Sequence, residues 1–282
     1  MDNYRLYGVE ESKIMEAWDL KPEEIRKILD EMIWSYSRVN SIGSCLYAFY
    51  KHYIEGQPVS PNCYAQFGTI CHETWEKFLK GELNIFTASQ YYQEHYPEIV
   101  TCSFPPNKYK DLGEASYLGG KAHFDNISFD FNKYEVLGVE KELRFNVGKY
   151  PFQGYADAVF RDKETGEIIL CDHKTSSFKY LKDGSVSKKD REHFESFKRQ
   201  EYLYCIPLIE EYGKVDVLSW NMIRDNKIIK IPFDEKEFTE AQEWAINNIQ
   251  QLENELLWLP DTSNTYFCNV LCGCRNSCTY RK

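Results

Sequence analysis

The sequence has no apolar run approaching the ~20 residues needed to cross a bilayer, and no basic-then-apolar stretch at its start. The expectation is a soluble chain with no membrane partner, cytoplasmic in a bacterial or phage-infected cell. There is no G-x-x-x-x-G-K-[ST] phosphate loop, so any ATP-driven unwinding must come from a separate chain. There is no H-E-x-x-H pair, which argues against a zinc hydrolase of that type. Internal repeats and low-complexity linkers are also lacking. Nor is positive charge in excess. The 34 Lys and Arg stand against 44 Asp and Glu, a net of −10, which argues against a protein that coats nucleic acid over its whole surface. A local basic groove beside an acidic site fits the same sum.

What is present bounds the class. The 282 residues, 43% hydrophobic and 16% aromatic, exclude general disorder and suffice for one large domain with a helical annex. Eight Lys or Arg lie between Lys174 and Arg199 against four acids, and the last fifteen residues hold Arg275, Arg281 and Lys282 with no acid. Ten Cys in a reducing compartment do not suggest a disulfide framework. Cys63, Cys71, Cys102, Cys171 and Cys205 read as small hydrophobes, whereas the four crowded into the tail need another explanation.

Along the chain, Pro22 followed by Glu23 and Glu24 opens a helix, with Ile25, Ile28, Leu29, Met32 and Ile33 on one face. Further helices are expected from about Ser44 to Ile54 and from about Ala65 to Lys80. Between Ile85 and Asn132, Pro97, Pro105, Pro106 and Gly119-Gly120 suggest short helices and loops. From Tyr134 the pattern becomes extended, with strands at Glu135–Glu140, Leu143–Val147, Phe152–Arg161 and Glu167–His173, the last two joined by the turn D-K-E-T-G. A helix over Lys188–Tyr212, strands at Val215–Ile223 and Lys227–Pro232, and an amphipathic helix over Glu235–Trp258 complete an α/β or α+β pattern.

Two adjacent strands carry chemistry. G-Y-A-D-A-V-F holds Asp157, and I-I-L-C-D-H-K-T-S holds Asp172 and Lys174. Residues two apart on a strand share a face, so Asp172 and Lys174 project together, and antiparallel pairing can bring Asp157 beside them. Two converging carboxylates repel unless a cation lies between them, and hard oxygen ligands suit Mg²⁺ or Mn²⁺. A neighbouring Lys would orient or deprotonate a water, or steady charge on a phosphate. An isolated D-x-K triplet is more often an ordinary strand end; here other elements surround it in order.

That ordered set resembles the PD-(D/E)XK nuclease superfamily, and within it the RecB-like branch. In F-G-T-I-C-H-E-T-W-E-K-F-L, His72 stands where the branch carries a helical His. Glu140 in G-V-E-K-E-L-R-F stands at the family's glutamate, with Glu142 as an alternative. Gly154 and Asp157 match G-x-x-D, Asp172, Lys174 and Thr175 match D-x-K-T, and Gln200 and Tyr204 in Q-E-Y-L-Y match Q-x-x-x-Y. The resemblance runs from about Ser35 to Cys278. It implies a restriction-endonuclease-like core, a central mixed sheet flanked by helices, in a single nuclease domain of residues 1–282. That domain would have a helical portion over 1–132, a catalytic core over 133–258 and a Cys-rich tail over 259–282. It further implies a metal held by His72, Asp157, Asp172 and the His173 backbone carbonyl, with Glu140 serving a second ion or its waters. Lys174 would assist the water, and Gln200 and Tyr204 would position the DNA strand or the lysine.

The tail Y-F-C-N-V-L-C-G-C-R-N-S-C-T-Y-R-K is similar to that of the iron–sulfur CRISPR-associated and RecB-type exonucleases. These use one N-terminal and three C-terminal Cys. Cys272 and Cys278 fit C-x₅-C with Arg275 between them, but Cys268 lies four rather than three residues before Cys272. The implied set is Cys45, Cys268, Cys272 and Cys278 around a structural [4Fe–4S] cluster, with Cys274 spare; Zn²⁺ on four Cys is the alternative. The function implied is a metal-dependent deoxyribonuclease, an exonuclease on single-stranded or end-containing DNA. Its implied partners are DNA and a helicase or recombination protein on a separate chain. A catalytically idle DNA-binding or assembly subunit is the alternative.

Overall fold

The computed structural model describes residues 21–255 and 258–281. In order, the elements are α1 (Pro22–Asp30), α2 (Tyr36–Ser44), α3 (Cys63–Leu79), α4 (Ala88–Ile99), α5 (Leu112–Asp125), β1 (Tyr134–Val147), β2 (Tyr150–Asp162), β3 (Ile168–Lys174), α6 (Arg191–Tyr212), β4 (Val217–Met222), β5 (Lys227–Pro232) and α7 (Glu235–Glu255). They divide into two compact units: residues 61–245, and the described parts of 1–60 and 246–282. Among the described residues no helix is long and apolar enough to cross a membrane.

The larger unit is built on a five-stranded mixed sheet of order β1-β2-β3-β4-β5. β1–β2, β2–β3 and β4–β5 are antiparallel, while β3 and β4 run parallel and are joined through α6. β3, the central strand, is buried along its length except at its last residue, which is why I-I-L-C reads as an unbroken apolar run. α3 starts where Asn62 accepts the N–H groups of Tyr64 and Ala65 at 2.8 and 3.3 Å, capping two otherwise unpaired donors. Its face of Phe67, Ile70 and Cys71 packs into one core with Tyr92, Phe124 and Ile169.

Several boundaries differ from the sequence reading for physical reasons. The two strands expected at 135–140 and 143–147 are one; its register shifts at Val136/Gly138, and Glu140 is left out of the ladder without a further shift. Glu140 adopts φ 46°, a left-handed conformation, between the pairs Val139↔Ala158 and Lys141↔Ala156, so it stands opposite Asp157. Residues 85–132 hold two full helices instead of short pieces. Pro97 falls in the last turn of α4, and Gly119 and Gly120 lie inside α5. Gly120 is there because the Tyr92 ring lies against the helix; a Cβ would sit 2.5 Å from Tyr92 Cζ. The helix expected from Ser44 is broken at Cys45, which is extended at φ −170°. A short helical segment, Leu46–Phe49, and a π turn, Tyr50–Ile54, follow it. α7 ends at Glu255, and residues 256 and 257 of the longer helix expected there lie outside the described residues.

The smaller unit has an aromatic centre. Phe49 stacks on Trp258 with centroids 6.1 Å apart and on Trp34 at 6.2 Å, while Tyr50 tilts onto Trp258 at 5.2 Å.

The two α5 glycines should respond oppositely to the same substitution. At Gly119 the nearest atom to a new Cβ is 3.7 Å away, so Gly119→Ala gains helix propensity and stabilises by up to about 1 kcal/mol. Gly120→Ala meets Tyr92 and destabilises by about 1–3 kcal/mol despite the same propensity gain. Urea denaturation of both variants checks the pair, and equal signs would refute the packing account.

Candidate active site

The β2–β3 ladder runs from Arg161↔Ile168 to Ala158↔Cys171 and stops there. The next position in register would set Asp157 against Asp172. Instead the His173 N–H is donated to the Asp157 carboxylate at 2.7 Å. A side chain has taken over the backbone's partner, and the strands part with two carboxylates at the fork. Into this fork α3 places His72, whose Nδ1 lies 3.4 Å from Asp157 Oδ2 and 3.8 Å from Glu140 Oε1. One ligand atom from each of His72, Glu140 and Asp157 falls within 4.8 Å of the others, a set that can hold a metal ion. Glu140 reaches it from the left-handed residue opposite Asp157. A non-glycine residue in that conformation costs on the order of 1–3 kcal/mol, a strain typical of functional positions.

Asp172 lies outside that triad and is held by Lys174, Nζ to Oδ2 2.7 Å. Lys174 Nζ also donates to Gln200 Oε1 at 2.8 Å and sits 4.7 Å from the centroid of Phe197, both on α6. Tyr204, one turn beyond Gln200, packs its ring on Gly154, where a Cβ would come within 2.7 Å of the phenol oxygen. G-x-x-D and Q-x-x-x-Y are thus two halves of one contact. Among the expected residues, His72, Glu140 and Asp157 converge at one point, and Asp172, Lys174 and Gln200 form a connected line beside it. Glu142 turns instead to Arg144 at 2.7 Å.

The electrostatics follow from this packing. Burial would lower the His72 pKa, but the Asp157 charge outweighs it and pushes the value up to about 10. Burial would raise Asp157, but the His72 charge holds it well below the usual carboxylate range. Asp172 goes up through burial and the nearby Asp157 charge, with Lys174 only partly offsetting them. His173 points its ring away from this line, stacking on Trp75 at 4.9 Å and 15°; burial takes it down to about 3, so it is neutral.

One group escaped the sequence reading. Glu201, next to Gln200, is fully buried, and neither carboxylate oxygen has a hydrogen-bond partner among the described residues. Burial and then the Asp172 charge push it well above the usual carboxylate range, favouring the neutral acid. The signal was available: Phe197, Glu201, Tyr204 and Leu208 recur at helical spacing, placing an acid on the buried stripe.

In the smaller unit the tail cysteines gather near Cys45. Cys45 Sγ accepts the Asp261 N–H at 3.4 Å, and the Cys268 thiol faces the Asp261 carbonyl at 3.5 Å. Cys45, Cys272 and Cys278 all lie close enough to raise the Cys268 pKa, after burial. Cys274 instead directs its thiol to Ala48 O at 3.6 Å. Cys45, Cys272 and Cys274 line a cavity of about 360 Å³.

A family model of the PD-(D/E)XK nuclease superfamily matches residues 33–281, and the chain belongs to that superfamily. A solved structure of a candidate exonuclease from Eubacterium rectale aligns with a TM-score of 0.52 at 14% identity, over 94% of this chain and 96% of that one. The likeness is one of fold, and the mixed sheet with flanking helices is the restriction-endonuclease-like arrangement the resemblance implied. A second solved structure, SSO0001, aligns at a TM-score of 0.30 and 19% identity over 70% of this chain and 81% of that one, and carries no weight. No curated protein matches the chain.

Because His72 keeps its proton up to about pH 10 in the metal-free site, a divalent ion bound there must displace it. Apparent Mn²⁺ affinity should therefore rise with pH, by about tenfold per unit between pH 7 and 8, with about one proton released per ion. Calorimetry in buffers of different ionisation enthalpy measures both, and a pH-independent affinity would exclude His72 as a ligand.

Proposed function

We propose that the chain is a divalent-metal-dependent deoxyribonuclease, acting as an exonuclease on single-stranded or end-containing DNA. The observation that carries this reading is the fork itself. Lys174, tied to Asp172 and Gln200, stands one residue from the His173 amide that Asp157 holds. The fold shared with a candidate exonuclease supports the choice of end-directed cleavage. An open groove of about 580 Å³ beside His72 and Glu140, lined also by Gly68 and Thr69, leaves room for a strand.

The donor set of carboxylates and one imidazole fits a hard divalent ion. His72, Asp157, Asp172 and the His173 carbonyl would hold Mg²⁺ or Mn²⁺, with Glu140 on the ion or its waters. When bound, the ion supplies Lewis acidity to a phosphate oxygen and acidifies water. Lys174 steadies the attacking water and the charge gathering on the phosphate, and Gln200 keeps its ammonium aimed. Tyr204, packed on Gly154, would help position the DNA strand or the lysine. The basic segment from Lys174 to Arg199 guides the phosphate backbone. The protein would work in the cytoplasm beside a separate helicase or recombination protein.

The test is digestion of end-labelled single-stranded, duplex and circular DNA. Linear DNA should be degraded with Mg²⁺ or Mn²⁺ and spared with EDTA, and closed circles should survive. Lys174→Ala and Asp172→Asn should each lower the rate by about 10²–10⁴-fold with unchanged circular dichroism. Full activity in both variants would sink the mechanism, and cleavage of circles would sink the exonuclease assignment.

The tail reading is a structural [4Fe–4S] cluster on Cys45, Cys268, Cys272 and Cys278. The N–H donated to Cys45 Sγ and the cavity beside Cys45 and Cys272 support it, and Cys274, buried with its thiol on the Ala48 carbonyl, is read as the spare. Protein prepared without oxygen should be brown with about four irons per chain. Cys45→Ala and Cys278→Ala should lose iron, whereas Cys274→Ala should keep it. A colourless protein with one zinc per chain would overturn the cluster.

A further inference from the structure

β3 and β4 run parallel, and the last rung of their ladder sets Lys174 beside Met222. Both strands therefore leave the sheet at the same end, and three residues further along each, Ser177 meets Asp225. Asp225 is placed by the tight connection from β4 to β5, a single 3₁₀ turn over Ile223–Asp225 that Asn226 ends in a left-handed conformation. Its carboxylate accepts three hydrogen bonds from the segment that follows Lys174. The Ser177 hydroxyl donates to Oδ1, and the Phe178 N–H at 3.0 Å and the Tyr180 hydroxyl at 2.7 Å both donate to Oδ2. Lys227 covers Tyr180, its ammonium 3.9 Å from the ring centroid.

Those bonds fix two things at once. Inward, the buried Phe178 ring lies 5.4 Å from the Phe197 ring and 5.3 Å from the His193 ring, centroid to centroid. Phe197 is the ring that faces Lys174, with Nζ 4.7 Å from its centroid. A path of contacts thus runs from the Asp225 carboxylate through Phe178 and Phe197 to the ammonium. Outward, the chain turns back in a short hairpin. Tyr180 bridges Val186, the Leu181 N–H donates to Ser185 O at 2.8 Å, and the Ser187 N–H donates to Lys179 O at 2.7 Å. A ribbon of this size has little stability of its own and depends on its base. Asp190 ties that base from one side, accepting the Lys179 N–H and the Ser187 hydroxyl, each at 2.9 Å. Asp225 ties it from the other.

The hairpin and its return are basic on the outside, where Lys179, Lys182, Lys188, Lys189 and Arg191 are all exposed. The aspartates among them are spent on local bonds, Asp190 as above and Asp183 on the Ser185 N–H at 3.0 Å. The segment starts in the groove: Thr175 Oγ1 lies 3.8 Å from where a Cβ on Gly68 would stand, and Gly68 lines that groove. Loose lysines would attract a phosphate backbone in any register, whereas lysines on a fixed hairpin hold it in one register relative to Lys174.

We propose that Asp225 is a positioning residue of the nuclease, the anchor that holds the basic hairpin and the Lys174 ammonium in one fixed relation. It acts through Ser177, Phe178 and Tyr180 and not on the reacting atoms. Its acceptor geometry matters more than its charge. Asparagine there keeps the Phe178 and Tyr180 bonds on its oxygen and donates its amide to the Ser177 hydroxyl. The role in cleavage rests on the nuclease reading; the anchoring of the hairpin does not.

Amide hydrogen exchange and steady-state cleavage of a linear single-stranded oligonucleotide, on the full chain with Asp225→Ala or Asp225→Asn, test the assignment. Asp225→Ala should lose protection at Phe178, Leu181 and Ser187, lower kcat about 10–100-fold and raise KM about tenfold. Asp225→Asn should keep that protection and stay within about threefold in both constants. A residue serving stability alone would lower the melting temperature and leave the kcat of the folded chain unchanged, and that result would overturn the proposal. So would an Asp225→Asn chain as impaired as Asp225→Ala, or hairpin exchange indifferent to Asp225→Ala. Should Asp225→Ala fail to fold, Ser177→Ala and Tyr180→Phe remove one bond each and should each lower kcat about 2–10-fold; unchanged kcat in both would overturn it equally. Failure of the nuclease reading would appear separately, as absence of cleavage by the unsubstituted chain, and the exchange comparison would still test the anchor.

Discussion

Asp157 takes the His173 N–H at the point where the β2–β3 ladder ends, and most of the site's geometry descends from that substitution of a side chain for a backbone acceptor. Had the ladder continued, the Asp157 and Asp172 carboxylates would flank an intact strand pair. The fork separates them enough for His72 to approach Asp157 from α3 and for Lys174 to close on Asp172. It also fixes the His173 backbone, so the neutral ring behind and the acidic cleft in front are set by one peptide unit. A buried carboxylate with a firm N–H donor and an imidazolium neighbour has its charge compensated, which is what permits so acidic a cluster in a largely apolar sheet.

Much of this was legible from residue order. The spacing of Asp172 and Lys174, the apolar run before them and the four-residue step from Gln200 to Tyr204 each encode a direction in space, and the sheet and α6 realise those directions. What could not be read depended on partners distant in sequence. Lys141 and Glu142 looked like the end of a strand, because charge on an edge strand and charge in a turn look alike in one dimension. Gly119-Gly120 looked like a breaker, because nothing local announces that Tyr92 needs the space. Glu201 was hidden for the opposite reason. An acid is presumed to face water, and only the packing of α6 on the sheet puts this one inside.

The cysteine tail shows the same limit from another side. Its density is visible in sequence, but its division of labour is not. The break at Cys45 turns that residue out of a continuous helix, and the Asp261 backbone then supplies its Sγ with a donor. Cys274, two residues from Cys272, has its thiol on the Ala48 carbonyl. The Cys272 and Cys274 thiols meet all the same, and the hydrogen bond between them draws the Cys272 pKa down to about 6 and pushes that of Cys274 up.

Glu140 occupies a backbone conformation that glycine would adopt without strain, and it keeps its side chain regardless. The fold and the cleft therefore pull this position in opposite directions. Variants selected only for thermal resistance should drift there toward glycine, while variants selected for activity should hold the acid at the expense of melting temperature. The residue at 140 then becomes a reporter of which pressure a lineage has felt, readable without any assay of the cleft.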